Sequence, residues 1–215
     1  ILADPTVTLD LDLMTTIAQT YEVVRKKDAA IAAYGRILAV SRQRQDTALE
    51  MMTLATLGQI YVSWFEYASA ATTYQELLLL AQNAGDRSQQ IEILEQLAYV
   101  HEEAEQHEQA IASREALITL YTEEAFANAD PTATEPPPVM DVARLKLAIA
   151  NSYRTLEQYG LAAVNYQAAL ASAQATQQFG YAGDALRQLA EMYADLGRYD
   201  DAIFSYRLLM DVERQ

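Results

Sequence analysis

The chain has no cysteine, which excludes disulfides and thiol chemistry and leaves the redox compartment open. Glycine (7) and proline (5) are scarce among its 215 residues. With Ala, Leu and Gln abundant, that scarcity favours helix over sheet. Long apolar runs are missing too: a run such as Leu77 to Ala81 is far short of the roughly 18 residues a membrane span requires. Cations are in the minority, 15 Lys and Arg against 30 Asp and Glu, for a formal charge of −15. Such a chain is self-repelling, stays in solution and repels phosphate backbones, so nucleic acid is not an expected partner. The first residue is Ile rather than Met and no signal peptide is visible. This suggests a trimmed or processed chain, with the cytoplasm favoured and any upstream export signal or anchor falling before Ile1.

The residues of catalysis are equally sparse. There is no nucleophile elbow, no phosphate-cradling glycine loop and no His–carboxylate arrangement of defined geometry. The two histidines, His101 and His107, lie near Glu102, Glu103 and Glu105. Their spacing is not His-Glu-x-x-His, and a predicted turn separates them. His101 is expected to be a packed core residue, with no metal and no cofactor.

What the chain does have is a repeat. Leu57-Gly58-x-x-Tyr61 is followed by Ala70 and Tyr74, and the same slots recur at Ile17-Ala18-x-x-Tyr21 with Ala30 and Tyr34. They recur again at Leu97-Ala98-x-x-His101 with Ala110 and Arg114, at Ile149-Ala150-x-x-Tyr153 with Ala162 and Tyr166, and at Leu189-Ala190-x-x-Tyr193 with Ala202 and Tyr206. The small anchors at 18, 58, 98, 150 and 190 are spaced by 40, 40, 52 and 40 residues. A small residue lets two helices approach, and an aromatic three residues on fills the gap between them. The Ala and Tyr of the second helix continue the apolar stripe. Turns are expected at Leu156-Glu157-Gln158-Tyr159 and Leu196-Gly197-Arg198-Tyr199, and Gly85 supplies a helix stop. Asp86 with Gln89 three residues on reads as an N-cap box, and Asp46 occupies the same slot one repeat earlier.

This pattern resembles the tetratricopeptide repeat family in five copies covering about Leu11 to Met210, and the 40-residue period looks like the long-repeat subgroup of spindle-orientation adaptors and kinesin light chains. The resemblance implies an all-α, right-handed α-solenoid of five helix–turn–helix repeats, ten helices, with the first helix of each pair lining a concave groove. Repeats start near 11, 51, 91, 143 and 183 in a single domain, 11–215, after an N-terminal extension, 1–10. Expected helices are 9–24, 28–43, 47–63, 67–83, 87–104, 108–128, 140–156, 160–177, 181–196 and 200–213. A Pro-rich insertion at about 126–138 must break the helix; it reads either as a tolerated surface loop or as a hinge or second contact site. Three positions depart from the pattern: His101 and Arg114 replace aromatics in repeat three, and Lys146 replaces a large apolar residue in repeat four.

The expected function is a protein-interaction scaffold or adaptor, with an assembly role also open, that holds a peptide or protein segment in the groove. Its candidate groove residues are Gln19 and Gln59 in the first two repeats, Glu92, Glu95, Tyr99 and Glu102 in the third, Arg144, Asn151 and Arg154 in the fourth, and Arg187 and Glu191 in the fifth. From Asp86 to Glu135 there are twelve Asp or Glu against two Arg. That segment reads as a solvated face or as a docking surface for a Lys- or Arg-bearing partner. A carboxylate grip by Asn151, Arg154 and Arg144 is incomplete, because Gln19 and Gln59 stand where Lys or Asn would be needed. Arg25, Lys26, Lys27, Arg36, Arg42 and Arg44 form a basic band in repeat one, read as a solvated outer face. At the other end, Phe204 and Leu208 occupy slots that are small or polar in most other repeats. Terminal repeats normally present a polar outer face, so these two suggest end-capping by a further C-terminal helix or self-association as a homodimer. That makes a regulatory or oligomerisation module of a longer chain the alternative reading.

Overall fold

A computed structural model describes residues 11–128 and 139–214. The expected N-terminal extension and the 129–138 part of the insertion lie outside the described residues. Among the described residues there are ten α-helices and no strand. They are α1 (Leu11–Val23), α2 (Lys27–Arg44), α3 (Thr47–Ser63), α4 (Tyr67–Ala84), α5 (Arg87–Glu103), α6 (His107–Ala127), α7 (Met140–Thr155), α8 (Tyr159–Ala175), α9 (Phe179–Asp195) and α10 (Tyr199–Val212). The chain divides into two compact units, residues 1–100 and 101–215.

Helix ends follow from two local devices. Between repeats, Asp46 and Asp86 accept hydrogen bonds from the Leu49 and Gln89 backbone N–H groups, each at 3.0 Å, satisfying a donor that the helix start leaves open. Before each Asp the chain passes through the left-handed region, at Gln45 (φ 55°) and Gly85 (φ 68°). Inside each hairpin a three-residue turn does the same at Arg25, Phe65, Glu105, Glu157 and Gly197, with φ between 56° and 72°. Only one of those five hairpin residues is glycine, so most of the turns carry a conformation that L-residues adopt at a cost.

In the first unit, α1 packs on α2, α2 on α3 and α3 on α4. The small anchors do what their size allows. Ala18 is fully buried beside Tyr34 and Ile37, and Gly58 lies under the ring of Tyr74, where a Cβ would come within 2.5 Å of Cε1. In the second unit, α6 packs on α7, α7 on α8, α8 on α9 and α9 on α10. Its core joins Ala150, Ala162 and Tyr166 to Leu189, Met192 and Ala202, with Tyr166 completely buried. Burial of a Leu- or Met-sized side chain contributes about 1.5–3 kcal/mol, so each hairpin draws most of its stability from such contacts with its neighbours. Lys146 is half-buried, and its flanking residues Leu145 and Leu147 are buried and supply the apolar contact of that turn.

Candidate functional site

In the first unit a cleft of about 610 Å³ opens between α3 and α5. Met51, Met52, Ala55 and Gln59 form the α3 wall; Gln89, Glu92, Glu95 and Gln96 form the α5 wall; Tyr74, Leu77 and Ile93 also line it. The side chains come from the first helices of repeats two and three, one turn apart along each helix, so helical spacing alone aligns them on one face. The wall on α3 is apolar, with Met52 exposed, and the wall on α5 is acidic. Burial pushes the Tyr74 hydroxyl above its ordinary pKa, so it stays a neutral hydrogen-bonding group. Of the expected groove residues, Gln59, Glu92 and Glu95 meet here. Tyr99 lies further along α5, its ring edge-on to Tyr67 with centroids 6.2 Å apart, and Tyr67 is in turn edge-on to the exposed Phe65. Gln19 is exposed on α1 and does not line the cleft. Met51, Gln96, Gln89 as a wall residue rather than an N-cap partner, and the Phe65–Tyr67 pair were not singled out from sequence. The signal for the first three is simple adjacency to Met52, Glu92 and Glu95 on helices already assigned.

In the second unit the expected groove charges are largely paired within the fold. Glu102 accepts a hydrogen bond from Arg114 Nη2 at 2.5 Å, while Arg114 Nη1 donates to Ser152 Oγ at 2.9 Å. Arg114 is buried, so the cation that replaces an aromatic in repeat three is neutralised where the aromatic would have packed. The slot relation is legible by register: Tyr34 OH donates to Glu22 at 3.3 Å in repeat one, and Arg114 and Glu102 sit 80 residues further on at both positions. Burial, reinforced by the Glu22 carboxylate, pushes Tyr34 up to about 12. His101 is buried, with Nδ1 2.8 Å from Gln106 Oε1, while His107 Nδ1 lies 3.8 Å from Glu102. Among the described residues no group of three or more His, Asp or Glu side chains is arranged to hold a metal ion.

Asn151, Arg154, Thr155 and Gln188 line a polar hollow of about 410 Å³. Tyr166 OH donates to Asn151 Oδ1 at 2.6 Å and lies 3.3 Å from Gln188 Oε1, and Arg154 donates to Asp195 at 2.6 Å. Burial raises the Tyr166 hydroxyl pKa, with Arg154 opposing the shift. Arg144 is apart from this hollow, 3.5 Å from Asp141, and Arg187 pairs with Asp184 at 3.0 Å. Glu191 is exposed on α9. On α10, Phe204 is 62% exposed while Leu208 is half-buried.

Helix pairs in a 40-residue register, packed in succession within each unit, define the chain as an all-α helical-repeat solenoid. A family model described as Tetratricopeptide repeat matches residues 184–215. Solved structures extend the likeness to the whole chain. The kinesin light chain TPR-like repeats of Podosopora anserina match at 12% identity, covering 94% of both chains with a TM-score of 0.59. MamA 41-end from Desulfovibrio magneticus RS-1 matches at 17% identity, covering 95% of both with a TM-score of 0.54. BtubC from P. vanneervenii matches at 16% identity, covering 87% of this chain and 74% of that one with a TM-score of 0.56. No curated protein sequence matches. Residues 184–215 thus match a tetratricopeptide repeat, and the fold resembles that of the solved TPR-like repeats. Among the described residues no helix is long and apolar enough to cross a membrane.

Proposed function

We propose that this protein is a binding scaffold that holds a segment of a partner protein in the cleft between α3 and α5. One observation carries the reading: that cleft sets an apolar wall, Met51, Met52 and Ala55, opposite an acidic one, Glu92 and Glu95, across about 610 Å³. A segment with one apolar face and one Lys- or Arg-bearing face matches both walls. The apolar side supplies area and the charged side supplies steering and register. The net charge of −15 favours a basic partner at long range.

A labelled amphipathic peptide alternating Leu-rich and Lys-rich faces tests this by fluorescence anisotropy. Met52→Asp and Glu92→Lys are each expected to weaken binding by about tenfold, equivalent to about 1.4 kcal/mol. A Glu-rich peptide of the same length should bind more weakly still. Equal binding of the acidic peptide, or full binding by both variants, would overturn the reading. Glu102 is unsuited to such a test, because its reversal disrupts the contact with buried Arg114.

A further inference from the structure

With no cysteine in the chain, its six methionines hold its only oxidisable sulfurs. Met14 and Met192 are buried in the cores, and Met51 is half-buried. Met52 and Met210 are exposed, by 56% and 53%. Repeat register separates these two. The slot of Met210 holds Leu38, Leu78, Ile118 and Leu170 in the other repeats, so an apolar residue there is ordinary. The slot of Met52 holds Asp12, Glu92, Arg144 and Asp184. All four carry charge, so folding does not demand an apolar side chain at that place. What Met52 supplies is apolar surface on one wall of the α3–α5 cleft, opposite Glu92 and Glu95.

We infer that Met52 is an oxidation site through which a peroxide weakens docking in this cleft, an inference that rests on the cleft being the binding site. The thioether lone pair attacks one oxygen of hydrogen peroxide and the O–O bond breaks. The leaving hydroxide takes the proton from the transferred oxygen, giving the sulfoxide and water; sulfur loses two electrons and the peroxide gains them. Hydrogen peroxide is neutral, so the net charge of −15, which repels anionic oxidants, does not hinder it. The sulfoxide turns a flexible apolar side chain into a polar one and brings a hydrogen-bond acceptor to a wall that faces carboxylates. Because the same slot carries full charge in the four other repeats, the change leaves the hairpin folded. The effect falls on binding and not on stability.

Treatment of the full chain with hydrogen peroxide tests this, with peptide mass spectrometry locating the added oxygen and anisotropy of the labelled Leu- and Lys-rich peptide reading affinity. Oxygen on Met52 should weaken binding by about tenfold and leave the thermal melt unchanged. Met52→Leu should bind as the wild type does and keep its affinity after treatment, whereas Met51→Leu and Met210→Leu should still lose it. Saturating peptide should slow oxidation at Met52 and leave that at Met210 as it was. Untreated protein that does not bind the peptide overturns the cleft reading and this inference with it. Full affinity in protein carrying the oxygen on Met52 overturns this inference alone. So does an equal loss in treated Met52→Leu, or a melt that falls in step with affinity. Should Leu at this position disturb native helicity by circular dichroism, Met52→Gln places a polar, uncharged side chain on the wall. It should bind weakly before any treatment, and full binding by it overturns the inference.

Discussion

Gln45 and Gly85 occupy the same slot one repeat apart, and only one of them suits it. Both are left-handed, at φ 55° and 68°, and both precede a capping Asp. A side chain in that region costs about 1 kcal/mol or more, partly offset by the freedom glycine loses on folding. Gln45→Gly is therefore expected to raise stability by about 0.5–1 kcal/mol, and Gly85→Gln to lower it by a similar amount. Urea denaturation read by circular dichroism measures both, and no change at Gln45 would mean the turn carries no strain. This is also where sequence reading reaches its limit at single residues. The Gly85 stop was legible because glycine marks it. The equivalent conformations at Arg25, Gln45, Phe65, Glu105, Glu157 and Gln177 carry no residue signature and are imposed by the helices on either side.

Helix boundaries were legible to within two residues, because caps, turns and the 3.6-residue period all act over short range. The interior of repeat three was less so. Arg114 stood out as a departure, but its partners Glu102 and Ser152 come from two other helices, α5 and α7. Comparison with the Tyr34–Glu22 contact exposes the logic: in repeats one and three the slot holds a side chain that fills the gap and reaches the acidic residue twelve positions earlier. Removing one partner of a largely buried pair costs several kcal/mol, less where solvent reaches the other partner, as it does at Glu102. Arg114→Ala is expected to cost about 2–3 kcal/mol. Arg114→Tyr, which installs the side chain of repeat one, should cost less than half of that. Thermal melts of the two variants compare them, and equal losses would show that the slot is specific to Arg rather than to the shape of a long side chain. The exposed stripe on α10 was illegible for a different reason. Tyr199, Ile203, Tyr206 and Met210 are ordinary second-helix residues, and nothing in their own sequence says whether a neighbour covers them. Phe204, whose residue type looked anomalous, lies instead at a slot whose counterparts, Ala32, Thr72, Ala112 and Val164, are exposed as well.

At the scale of the whole molecule, stability is close to a sum of hairpin terms and neighbour terms.

The pair of caps at Asp46 and Asp86 has one more consequence. Each accepts from the backbone three residues ahead in the same geometry, and each follows a left-handed residue. Excising Thr47–Asp86 joins Asp46 directly to Arg87, so the old cap meets the new helix in phase, and Ile93, Leu97 and Val100 of α5 arrive at α2 in the slots vacated by Thr53, Leu57 and Ile60. The shortened chain is expected to melt in one cooperative transition with native-like helicity per residue, whereas an excision offset by two residues should not. At these two seams the chain is thus expected to lose or gain material in whole hairpins, joined at the aspartates.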